Sequence, residues 1–215
     1  MPGRLQKEID KIKKQILSLG AIVEERLQKS VYAVKNEDLN LALKIIDTDS
    51  QIDELEIEVE EECLKILALY QPVAMDLRFL VAVIKINNDL ERIADYAANI
   101  AKRFKTSYKD PDKFRYDYTS MADLTATMLR MSLDALVQMD VDMVYKVREM
   151  DTDVNIMRDE AYDIMKKDIR KFPDKAGKII NMYLISRHLE RIGDHTTNIA
   201  EEVIYLIEGE IIRHT

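Results

Sequence analysis

Apolar residues return along this chain at spacings of three and four, and the pattern breaks only at prolines, asparagines and short polar clusters. Leu5, Ile9, Ile12, Ile16, Leu19, Val23 and Leu27 share one face of a helix predicted over 4–34, with Gly20 marking a close helix contact. Ile52, Leu55, Val59, Ile66 and Leu69 form the seam of a second helix, 37–69, for which Asn36 is the predicted N-cap and Pro72 the stop. A third helix, 75–108, is apolar nearly all round in its early half, so it belongs at the centre of the molecule. After a polar link at 107–117 the plan repeats as helices over 119–138, 141–170 and 174–208. Asp140 is the predicted cap of the middle one, whose seam is Val147, Met150, Val154, Met157, Ala161 and Ile164. Pro173 stands in the role of Pro72, and Gly209 ends the last helix.

The repetition extends to the letters. Residues 89–101 read DLERIADYAANIA and residues 188–200 read HLERIGDHTTNIA, so that Glu91/Glu190, Asp95/Asp194 and Asn99/Asn198 all differ by 99. A second echo, Asp47-Thr48-Asp49 against Asp151-Thr152-Asp153, has an offset of 104. Internal repeats of this kind mean a duplicated supersecondary unit. The predicted fold is therefore all-α: two tandem antiparallel three-helix bundles, 1–109 and 110–215, made of six long helices with an internal pseudo-twofold repeat.

Composition agrees. Five Gly and four Pro in 215 residues, with 47% apolar residues, suit long helices around a sizeable core. A net charge of −8, no Trp and no basic stripe argue against a nucleic-acid partner. The lone cysteine, Cys63, follows three glutamates, which marks it as a core residue rather than a nucleophile. No signal-peptide pattern and no apolar run of about 18 residues is present, which predicts a cytoplasmic protein.

The duplicated phrase carries the candidate chemistry. Residues four apart on a helix are surface neighbours, so Glu91, Asp95 and Asn99 form one polar stripe and Glu190, Asp194 and Asn198 its copy, both directed away from the apolar face. Paired carboxylates one turn apart suit a hard cation, with Asp47, Asp49, Asp151 and Asp153 placed to add ligands and His188 to flank the second stripe. A solvated helix face with inter-helix ion pairs is the commoner reason for such spacing, but exact repetition within one chain narrows that advantage. A carboxylate-bridged metalloenzyme and a metal-free scaffold are the alternatives. No nucleotide loop, HExxH or nucleophile elbow is present.

Pro72-x-Ala74-x-Asp76-Leu77-Arg78, followed by Leu90-Glu91-Arg92-Ile93-x-Asp95 and Asn99-Ile100-Ala101, closely resembles the PhoU family of phosphate-transport regulators, and LERIGDHTTNIA resembles that family's second copy. The resemblance covers nearly the whole chain. It implies tandem three-helix bundles, each with a multinuclear metal site at the E(D)xxxD motif, here Glu91/Asp95 and Glu190/Asp194. Iron or zinc is the implied metal, with magnesium or manganese as further choices. It also implies a non-enzymatic, often dimeric negative regulator of the phosphate-starvation response. Such a protein links a phosphate ABC transporter, through its ATPase subunit, to a membrane sensor histidine kinase, and meets the membrane only through these partners. Ala94 stands where the second phrase has Gly193.

Overall fold

The computed structural model describes residues 2–108 and 116–209, apart from the side chains of Pro2, Asp49 and Ser50. Every long element among them is helical. In chain order these are α1 (Pro2–Lys35), α2 (Leu39–Asp47), α3 (Asp49–Tyr70), α4 (Ala74–Tyr108), α5 (Thr119–Gln138), α6 (Val141–Lys171) and α7 (Ala176–Glu208), with a 3₁₀ turn at Pro173–Lys175 before the last. The predicted boundary between units, at 109/110, lies outside the described residues.

The second predicted helix is divided at Thr48. A continuous helix would need the carbonyls of Ile45 and Thr48 for amides further along the chain. Arg26, buried on α1, reaches across to both, Nη2 to Ile45 O at 2.9 Å and Nη1 to Thr48 O at 3.3 Å, the latter shared with the Gln51 amide. The Thr48 hydroxyl also folds back on the Lys44 carbonyl at 3.0 Å, an arrangement that bends helices. The cap of this segment is Asp38, which accepts from the Leu41 amide at 2.9 Å, and not Asn36. Asp140 caps α6 as its position predicts, accepting from the Asp142 amide at 2.9 Å and the Met143 amide at 3.3 Å. Gly209 closes α7 at φ 77°, a left-handed position suited to glycine.

The first unit packs α1, α2, α3 and α4 together, and the second packs α5, α6 and α7. The units meet along α4 and α7, which run antiparallel: Lys85 pairs with Glu202 at 2.9 Å, and Arg103 of the far end of α4 meets Asn181 near the start of α7. A second seam joins α1 to α5, where Glu24 binds Arg130. There Gly20 permits the close approach read from the sequence, for a Cβ at this position would stand 2.3 Å from Leu133 Cδ1. The main hydrophobic cluster, from Ile9 to Leu206, runs through both units, and a smaller one of Ala33, Ala42, Ile45, Ala101 and Phe104 lies within the first.

Burial shows the pseudo-symmetry. At the offset of 99, Leu80/Ile179, Ile86/Ile185, Leu90/Leu189, Ile93/Ile192 and Ile100/Ile199 are all buried pairs. For α3 and α6 the matching pairs are Ile52/Val154, Val59/Ala161 and Cys63/Met165, an offset of 102. Asp151 is thus the counterpart of Asp49, and the Asp-Thr-Asp echo at 104 is out of register by two residues.

Candidate functional site

Each carboxylate stripe lies where the last helix of its unit crosses the middle one. In the first unit Glu91 and Asp95 of α4 look toward Asp53 and Glu56 of α3. Burial pushes the Glu91 carboxyl above its ordinary range, the charge of Asp95 adds to this, Arg92 opposes it, and Asp53 and Glu56 raise it further. Glu56 is raised as well, by burial first and then by Glu60 and Asp53. Asn87 of α4, fully buried, fixes this crossing: its amide donates to the Glu56 carbonyl at 2.8 Å and to Glu56 Oε1 at 3.1 Å. Arg92 is the nearby cation, 3.4 Å from Glu91 Oε2 and 3.9 Å from Asp95 Oδ2, and is half exposed. Asn99 follows one turn on and is half-buried.

The second stripe is deeper and more heavily paired. Glu190 is buried, contrary to the outward orientation expected for it. Arginines on three sides account for this. Its Oε1 accepts from Arg187 Nη1 at 2.7 Å and Arg158 Nη1 at 3.5 Å, while Oε2 lies 4.0 Å from Arg191 Nε and has no hydrogen-bond partner. Asp194 binds Arg191 Nη1 at 3.0 Å. Across from them Asp151 of α6 accepts from Asn155 through Oδ2 at 3.0 Å, and its buried Oδ1 has no partner. Burial, then the charges of Asp194 and Glu190, push the Asp151 carboxyl up to about 6. Gly193 makes room here, since a Cβ would stand 3.1 Å from Asp151 Oδ1.

These residues suit a hard cation in their chemistry. Two buried carboxylate oxygens without donors, Asp151 Oδ1 and Glu190 Oε2, lie beside a third carboxylate, and a divalent ion would satisfy them. Among the described residues, however, no three His, Cys, Asp or Glu side chains converge on one point, so an ion would draw the carboxylates inward. It would also compete with the proton that Asp151 holds near pH 6.

The other predicted ligands scatter. Asp47 is exposed at the end of α2, the side chain of Asp49 lies outside the described residues, and Asp153 lines a groove with Asp123 and Thr127 of α5. His188 and His195 belong to the α4–α7 seam. The pseudo-equivalent positions 96 and 195 meet there, Tyr96 against His195 with centroids 5.7 Å apart, and His188 packs on Tyr96 as well, also at 5.7 Å. His195 Nδ1 lies 2.7 Å from Asp89 Oδ1, to which Asn198 also donates at 3.3 Å. Burial, followed by Arg103 and Arg187, holds His188 down to about 4, so its ring is neutral at physiological pH. Cys63 is buried, and desolvation followed by Glu60 and Glu62 pushes its thiol up to about 12, which keeps it inert. Sequence reading missed Asp53, Glu56, Arg158 and Arg187. The parallel between Asp49-x-x-Ile52-Asp53-x-Leu55 and Asp151-x-x-Val154-Asn155-x-Met157 was the available signal for the first of them.

A sequence model of the PhoU domain matches residues 16–104 and again 118–203. The phosphate-specific transport system accessory protein PhoU homolog of Pseudomonas putida is 32% identical over 96% of this chain and 82% of its own length. The homologs of Aquifex aeolicus and Synechocystis are 34% and 36% identical, over 98% and 95% of this chain and 96% and 92% of theirs. The crystal structure of PhoU from Pseudomonas aeruginosa superposes with a TM-score of 0.91 at 32% identity, covering 95% of this chain and 99% of that one. The phosphate transport system regulatory protein PhoU of Streptococcus pneumoniae gives 0.88 at 27% identity, covering 98% and 100%.

Proposed function

The chain belongs to the PhoU family of phosphate-transport accessory proteins, and from that premise we propose that it is a cation-binding adaptor which restrains the phosphate-starvation response. Its relatives carry the names of accessory and regulatory proteins of phosphate transport. The observation that supports the cation is the pair of buried, donor-less oxygens on Asp151 and Glu190, set in a carboxylate stripe that the chain builds twice.

In this reading Glu91 and Asp95 in one unit, and Asp151, Glu190 and Asp194 in the other, hold multinuclear iron or zinc, or magnesium or manganese, each ion supplying positive charge that cancels carboxylate repulsion at a helix crossing. The residues themselves hold the helices at fixed spacing, and the rigid outer faces are offered to partners. Those partners are the ATPase subunit of a phosphate ABC transporter and a sensor histidine kinase, with a second copy of the chain forming a homodimer. In this reading the protein works in the cytoplasm and meets the membrane through these partners; no helix among the described residues is long and apolar enough to cross a membrane. The protein acts by binding and not by turnover.

Two measurements test this. Elemental analysis should show that Glu91→Ala with Asp95→Ala lowers bound metal by about one site's complement; unchanged stoichiometry refutes the ligand assignment. In cells whose own phosphate-transport accessory protein is deleted, this chain should silence a phosphate-starvation reporter at high phosphate. A reporter that stays on removes the regulatory reading.

A further inference from the structure

Between α5 and α6 the second unit has a groove of about 530 Å³ that the carboxylate stripes do not use. Its apolar lining is Leu124 of α5 with Met150 and Met157 of α6, all half-buried, and Ile156, which is 51% exposed. The α5 wall is low, because Ser120 and Thr127 stand on it, and the Thr127 hydroxyl donates to the Asp123 carbonyl of its own helix at 2.7 Å. Three exposed carboxylates rim the groove, Asp123 on α5 and Asp153 and Glu160 on α6. None of the three is in an ion pair among the described residues. The first unit shows how the same helix face looks when water covers it. At the offset of 102, Met150, Ile156 and Glu160 correspond to Thr48, Glu54 and Glu58. The face is acidic in both units, but only the second sets a methionine and an isoleucine among the acids.

We propose that this groove receives one amphipathic α-helix of a partner protein, apolar along the side it buries and lysine- or arginine-rich on its flanks. Met150, Asp153, Met157 and Glu160 recur at three and four, so the α6 wall is a helical ridge with a helical groove beside it. From Met150 to Glu160 is ten residues, about 15 Å, which matches about three turns of a docked helix with apolar anchors at i, i+3 or i+4, and i+7. Methionines suit such a surface because their side chains reshape around the anchors. Carboxylates on both walls select cations on both flanks of the visitor and repel anionic lipid, nucleic acid and acidic peptides. Both walls are helices, so an extended peptide finds no strand edge to pair with. The groove serves this purpose whether or not the stripes hold cations, for its walls are α5 and α6 alone.

The test is fluorescence anisotropy on the full-length protein with a labelled peptide of about 12 residues, leucine on one helical side and lysine on the other. It should bind about tenfold tighter than a scrambled peptide of the same composition. Ile156→Glu, which copies the first unit, should weaken binding about tenfold although it adds negative charge. Asp123→Lys with Asp153→Lys should weaken it at least as much and should admit a peptide with glutamate in place of lysine. Glu54→Lys with Glu58→Lys makes the same charge change on the corresponding face of the first unit and should leave affinity within about twofold. All these positions are exposed, and matching thermal melts check that each variant is folded. A patterned peptide that binds no better than the scrambled one overturns the proposal. So does undiminished binding by Ile156→Glu, or an equal loss from the two double variants, since either means attraction to net charge alone. A second copy of the chain, whose α6 ends in Lys166, Lys167, Arg170 and Lys171, is the rival occupant. A wild-type dimer in sedimentation that Ile156→Glu converts to monomer assigns the groove to self-association and overturns the partner helix.

Discussion

Asp151 is an acid that the fold strains in one direction. Its carboxyl is held at about 6 against an ordinary 3.8, so the folded protein binds that proton more tightly than the unfolded chain. The stability it contributes is present below about 4 and is lost as pH rises through about 6. His188 runs the other way: held at about 4 against 6.5, it favours the fold above 6.5 and withdraws that stability as pH falls toward 4. The two trends overlap and oppose, so the wild-type profile hides both. In metal-stripped protein Asp151→Asn should therefore gain about 1 kcal/mol at pH 7.5, a figure reduced for the partial solvation of the site, and gain nothing at pH 4. Thermal melts at the two pH values check this, and with divalent metal present the sign at pH 7.5 should reverse.

Among the elements, α1 and α5 are held at their separation by the absence of one methyl group. Gly20→Ala would set a Cβ 2.3 Å from Leu133 Cδ1, and Leu133 is itself buried, so the substitution should cost about 1 kcal/mol net of the better helix propensity of alanine. With Leu133→Ala already in place the same change should stabilise, by about 0.5–1 kcal/mol, because only the propensity remains. Urea denaturation of the four proteins measures this sign change. The contact was legible in the sequence because a lone glycine in a long amphipathic stretch needs a reason. The break at Thr48 was not, since the Ile45 carbonyl that would have continued the helix accepts from Arg26, a residue of another helix. Nor was the burial of Glu190, because the arginines that pair with it include one on a different helix. The stripes themselves were readable, being set by spacing on one helix. Their facing partners Asp53, Glu56 and Arg158 depend on how α3 and α6 are turned, and the letters Asp-Thr-Asp suggested a register two residues away from the one that burial shows.

At the scale of the molecule, two similar halves share their main core. Residues 1–108 and 109–215 expressed separately would each expose an α4 or α7 seam built for the other. Each alone should melt without a cooperative transition, and mixing should restore a 1:1 complex with a sharp one; independent sharp transitions would show that each half folds by itself. Lys85–Glu202, with Glu202 largely sheltered, is one of the bonds that such a complex has to rebuild.

Where positions 96 and 195 touch, a pairing of two identical chains would be forced to place the same side chain opposite itself. One polypeptide is under no such obligation. Here a phenol faces an imidazole, and the imidazole takes a carboxylate at 2.7 Å. At the mirrored place across the axis, a second imidazole rests on the phenol instead. Fusion thus lets a junction that geometry makes palindromic be spelled differently on its two sides, which fixes which half is which.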